Sequence, residues 1–111
     1  MPAAALAFSP LGLTVSFTAA NSVPTSAQAK SAAGKQNSYQ YRIVNAGDQL
    51  VLLGVGVDDT AAKAAAASIA AGAVPILPGA VEVLGFPAAS FFTGKTASGT
   101  SVVYVTPGEG L

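Results

Sequence analysis

The strongest constraint in this chain is a period of two. In residues 11–20 (LGLTVSFTAA), Leu11, Leu13, Val15 and Phe17 share one side, and Gly12, Thr14, Ser16 and Thr18 share the other. Successive side chains of an extended chain point to opposite faces, so this pattern predicts a half-buried strand. Residues 38–44 (SYQYRIV) alternate again, with Tyr39, Tyr41 and Ile43 opposite Gln40, Arg42 and Val44. In residues 100–106 (TSVVYVT), Val103 and Val105 stand opposite Val102 and Tyr104. Residues 80–84 (AVEVL) place Val81 and Val83 one way and Glu82 the other, with Glu82 expected toward solvent. A further strand is expected over 88–93.

Residues 49–57 (QLVLLGVGV) are apolar on both faces at first, which predicts a central or covered strand. Gly54 and Gly56 leave room on one face for a close approach. Asn45-Ala46-Gly47-Asp48 and Gly94-Lys95 read as turns. Residues 74–79 carry Pro75 and Pro78-Gly79, which suit an edge segment ending in a turn. Residues 21–37 read as a long loop, and residues 107–111 as a flexible tail. Residues 58–71 are the one helix candidate: Asp58 or Asp59 can cap it, Ala favours it and Gly72 can end it. It has almost no apolar stripe, so a short helix and a mobile loop both remain open.

Six to eight short strands with at most one short Ala-rich helix indicate an all-β fold, a small antiparallel β-sandwich or barrel of jelly-roll type. At 111 residues the chain suits a single domain, with an arm at 1–10 and a tail at 107–111.

Composition narrows the function classes. Five basic and five acidic residues cancel, and charged residues make up only 9% of the chain. So sparse a set of cations gives no footprint for a phosphate backbone, and nucleic acid is not an expected partner. With no Cys and no His there is no zinc site, disulfide framework or Ser–His–Asp triad. No cofactor and no metal are expected. The N-terminal MPAAALAFSPLG lacks the basic region of a secretory signal, and residues 61–73 are too short to span a bilayer. No membrane partner is expected, and the default compartment is the cytoplasm.

The remaining chemical candidates are weak. Asp58 and Asp59 are better read as helix caps than as cation ligands. Glu82 and Glu109 lack the fixed context an acid–base pair needs. Gly54-Val55-Gly56 lacks the third glycine of a nucleotide loop, and Gly94-Lys95-Thr96 lacks the first glycine of a P-loop. An enzyme is not expected, and there is no small-molecule substrate to name. Tyr39, Tyr41 and Arg42 are interface candidates because Tyr and Arg are enriched at interface hot spots. Core packing with hydroxyls at the rim is the favoured reading of the two tyrosines.

The most distinctive sequence is Leu77-Pro78-Gly79-Ala80-Val81-Glu82-Val83-Leu84, followed by the stretch SVVYVTPGEG at residues 101–110. This pattern resembles small structural proteins of tailed-bacteriophage virions, and residues 41–53 (YRIVNAGDQLVLL) resemble an early strand of the same group. The resemblance covers about half the chain and implies a β-sandwich attached to the virion, a capsid decoration or cement protein. Its implied partners are the major capsid protein and copies of itself, as dimer or trimer, on particles assembled in the host cytoplasm. A tail, collar or head-fibre component is the alternative within that group. Terminal arms able to lie on neighbouring chains would add Leu6, Phe8, Pro107 and Leu111 to the interface candidates. A β-sandwich module for host glycans is the alternative outside it, with Tyr39, Tyr41 and Tyr104 as the available platforms.

Overall fold

The alternating segments form strands in the computed structural model, which describes residues 8–32 and 40–109. Strands β1 (Ser9–Pro10), β2 (Val15–Ala19), β3 (Ala27–Gln28), β4 (Gln40–Asn45) and β5 (Val51–Gly56) precede helix α1 (Asp59–Ala66). Strands β6 (Val74–Ile76), β7 (Val81–Gly85), β8 (Phe91–Lys95) and β9 (Ser101–Glu109) follow it. In the first sheet β9 has β1 and β2 along one side and β4 along the other, with β7 beyond β4. The second sheet runs β3-β8-β5-β6. All these pairings are antiparallel, and the fold is an all-β sandwich.

The period of two sorts each strand between core and exterior. Phe17, Ala19, Tyr41, Ile43, Val103 and Val105 of the first sheet face Val51, Leu53, Ile76 and Phe92 of the second. Phe92 meets Tyr41 edge-on at a centroid distance of 4.8 Å and Phe86 at 5.8 Å. The strands must change sheets at their ends, and Asn45 holds that corner. Its buried Nδ2 donates to the carbonyls of Gln49 and Ile76, and its Oδ1 accepts from the Ser101 hydroxyl and the Gly47 amide. One side chain therefore ties the ends of β4, β6 and β9 to the turn between β4 and β5.

Helix α1 is held by smallness. Ala62 and Ala66, one turn apart on its inner face, are fully buried. They sit on Gly54 and Gly56, where an added Cβ would lie 2.2 Å from the Ala62 carbonyl oxygen and 2.5 Å from the Ala62 amide nitrogen. An apolar stripe of large residues is thus unnecessary, because glycine lets the helix backbone rest directly on the strand. Asp58 caps α1 through the Ala61 amide at 2.8 Å. Gly72, at φ +110, ends the 3-10 turn Ile69–Ala71 that follows the helix.

Several sequence expectations are corrected. Leu13 is 84% exposed, because β2 starts at Val15 and Leu13 projects beyond the sandwich. Gly94-Lys95 is strand, not turn: Gly94 faces inward, and an added Cβ would meet Val51 at 2.6 Å and Phe17 at 2.9 Å. Residues 107–109 are strand, not tail, and Ser9–Pro10 pair with Gly108 and Glu109 of the same chain. The expected 88–93 strand starts later, at Phe91, after a turn in which Ala89 takes φ 59. Residues 21–37 are not wholly loop, since β3 lies within them; residues 33–37 lie outside the described residues.

Gly54→Val should lower the unfolding free energy by about 3 kcal/mol, the upper range of overpacking costs, measured by urea denaturation. Asp59 accepts the amide and hydroxyl of Ser26, both at 2.7 Å, and pairs with Lys63 at 3.4 Å. These hydrogen bonds from Ser26, aided by Lys63, hold its carboxyl below the ordinary range. Its contribution is therefore complete above the unfolded-state value of about 4 and is lost as pH falls through its lower folded value. The Ser26 amide NMR signal should report release of this contact on acidification, at a lower pH in the wild type than in Lys63→Ala.

Candidate functional site

The two outer faces of the sandwich are treated differently. The second sheet turns Gly54, Gly56 and Thr93 outward, where α1 covers the glycines and the Thr93 hydroxyl donates to the Pro24 carbonyl at 2.8 Å. Asp59 fastens that same loop to the helix through Ser26. The first sheet has no such cover among the described residues. Register puts Ser16, Tyr104, Val44 and Val81 in one row across four strands, and Thr106, Arg42 and Val83 in the next. Tyr104 is 43% exposed, Val81 51% and Val83 42%, so the outer face of the first sheet is largely bare.

Arg42 is the one charged side chain on this face among the described residues. It is exposed and makes no ion pair or side-chain hydrogen bond there. Glu82 pairs in register with Ile43, one residue out of step with Arg42, and therefore points to the opposite side of the sheet. At one end of the face Arg42 lines a shallow cleft of about 510 Å³ with Phe8, Leu13, Thr14 and Thr106. The Thr14 and Thr106 hydroxyls are hydrogen-bonded at 2.7 Å. Phe8 lies over Gly108, where an added Cβ would fall 2.3 Å from its ring.

The expected interface residues divide. Phe8 and Arg42 come together at the cleft. Tyr41 does not belong to it: it is 1% exposed, and its hydroxyl donates to the Pro87 carbonyl at 2.7 Å. That burial also removes Tyr41 as a glycan platform. Pro107 is buried within β9 and is no arm. Leu6, Tyr39 and Leu111 lie outside the described residues. Leu13, Thr14, Thr106, Val81 and Val83 join the face without having been singled out. The alternation of residues 100–106 and the Val-Glu-Val of β7 carried part of that signal, but alternation alone does not say which sheet face stays bare.

The chemical candidates resolve structurally. Asp58 caps a helix, Asp59 anchors a loop, and Gly54 and Gly56 lie beneath α1. No group of three or more metal-ligating residues forms among the described residues. Among them, no helix is long and apolar enough to cross a membrane. No family model matches the chain, and no curated protein or solved structure does.

Tyr41→Phe should cost about 1 kcal/mol through the lost hydroxyl contact. Val83→Ser and Tyr104→Ser should each stay within about 0.5 kcal/mol of the wild type. Thermal denaturation of the three variants separates the core tyrosine from the bare face.

Proposed function

We propose that this chain is a structural subunit of a tailed-bacteriophage virion, of the decoration or cement kind, which attaches to the capsid through subunit contacts. The observation that carries the reading is the outer face of the first sheet, uncovered among the described residues, with Val44, Val81, Val83 and Tyr104 in adjoining rows and one described charge among them. A face of this type works by apolar burial and shape, since depletion of charge at the centre is what distinguishes interface cores. The major capsid protein is its partner, with copies of this chain as neighbours on the shell, and the virion is where it acts. The sequence patterns at residues 77–84 and 101–110 support the same reading by resemblance. A place on the tail, collar or head fibre uses the same face and differs only in the partner.

Mixing purified chain with bare tailed-bacteriophage capsids tests the reading by co-sedimentation. The wild type should pellet with capsids, and Val83→Lys or Tyr104→Lys should weaken retention about tenfold or more, since each buries an unpaired charge near Arg42. A chain that stays monomeric and ignores capsids overturns the reading. Retention on tails but not on capsids replaces decoration with the tail alternative.

A further inference from the structure

Helix α1 covers the second sheet over Gly54 and Gly56 but ends before the sheet does. Two residues before Gly54 on β5, Leu52 pairs in register with Lys95 of β8, and both turn to that same outer side. There the chain leaves α1 through Ser68 and Ile69, and a cleft of about 400 Å³ lies between this turn, the Leu52–Lys95 pair and the loop residues Asn21 and Leu50. Every residue that lines it is described. The residues that border undescribed segments lie at the other end of the sandwich. Phe8 rests over Gly108, the Ala32 amide donates to the Leu11 carbonyl, Gln40 pairs with Gly108, and Glu109 pairs with Ser9.

The lining divides into an aliphatic wall and a polar corner. Leu50 and Ile69 are 43% and 56% exposed, and Leu52 is half-buried. No aromatic ring lines the cleft, so it offers no stacking platform for a sugar or a base. Lys95 is half-buried and makes no ion pair or hydrogen bond among the described residues. The acids are placed elsewhere: Asp48 accepts from Gln49, Asp58 caps α1, Asp59 holds Ser26 and Lys63, and Glu82 and Glu109 belong to the first sheet. The Ser68 hydroxyl accepts from the Ala71 amide at 3.2 Å, which leaves its own proton to donate. The Asn21 side-chain amide donates to the Thr96 and Ala97 carbonyls and so fixes the rim.

We propose that this cleft is a binding site for a small aliphatic monocarboxylate, with the carboxylate at Lys95 and Ser68 and the alkyl chain against Leu50, Leu52 and Ile69. One ammonium and one hydroxyl proton match a single negative charge. A phosphate monoester, with close to two charges and three acceptor oxygens, would be under-supplied with donors. The volume lies near the lower end of the range of about 300–1,000 Å³ for small-ligand sites, which limits the occupant to a short chain. A charge-assisted hydrogen bond gains strength where aliphatic side chains thin out the water, and Lys95 stands in such a place. The site lies on the second sheet and does not depend on the capsid reading.

The test is an NMR titration of the full chain with sodium octanoate below its micelle concentration, followed at the methyl signals. Leu50, Leu52 and Ile69 should shift and saturate together, while Val81 and Val83 on the first sheet stay fixed. Hexanoate should bind several times more weakly, because each buried methylene adds to affinity. Octylamine, of the same chain length and opposite charge, should not saturate these signals. Lys95→Met should weaken octanoate about tenfold, as for loss of a hydrogen bond to a charged group, and its amide spectrum should show the fold intact. Lys95→Arg should retain most of the affinity. The proposal is overturned if octanoate leaves these methyls unmoved or shifts signals evenly over the surface. It is also overturned if octylamine binds as well as octanoate, or if Lys95→Met binds octanoate as the wild type does.

Discussion

The contact of Ala62 and Ala66 with Gly54 and Gly56 is the constraint on which the arrangement depends. A helix of small residues cannot be retained by large apolar side chains, so it must approach the sheet at backbone distance. Glycines on β5 permit that approach, and the outer face of the second sheet is covered as a result. The cover is reinforced from the other side by Asp59 and Ser26, which bring the loop before β3 over Thr93. One outer face is thus closed by the chain itself, and the outer face of the first sheet has no such cover among the described residues.

Strand edges are managed in ways consistent with that division. Edge strand β6 contains Pro75, which has no amide to donate to a further strand. Edge strand β7 turns Glu82 toward the inner side, a device that opposes edge-to-edge pairing. Asn45 meanwhile fixes the corner where the strands pass between sheets, with its amide hydrogens and its oxygen all engaged in a buried site. Such a fully satisfied polar hub specifies one arrangement, because any shift would leave buried polar groups unpaired.

Much of the fold was legible in the sequence. The alternation of β2, β4 and β9 grouped Phe17, Tyr41 with Ile43, and Val103 with Val105 on single sides of their strands, the sides that face the core, and the paired glycines of β5 announced a close approach. The identity of the approaching element was not legible, because Ala62 and Ala66 carry no hydropathy contrast with their Ala neighbours. Gly94 misled for a related reason: a glycine that makes room for Phe17 and Val51 is locally indistinguishable from one that turns the chain. Of the interface candidates, Arg42 and Phe8 meet at one cleft, whereas Tyr41 and Pro107 belong to the interior. Residue type suggested Tyr41 and Arg42, a place in the terminal arms suggested Phe8 and Pro107, and the packing of Phe92 and the pairing of β9 with β1 and β4 separated them. Leu13 was assigned to the core by its period, which continues in the sequence past the point where the strand itself begins.

These features distinguish the two outer faces: one is closed by the chain's own helix, and the other, which the proposed capsid contact would use, is apolar and nearly uncharged among the described residues. Site-specific thiol labelling tests that division directly, comparing Val83→Cys on the bare face with Lys63→Cys on α1. Both cysteines should react in the free protein. On assembled particles, Val83→Cys should become protected while Lys63→Cys continues to react. Protection of the helix position with the sheet position still reactive would contradict the account.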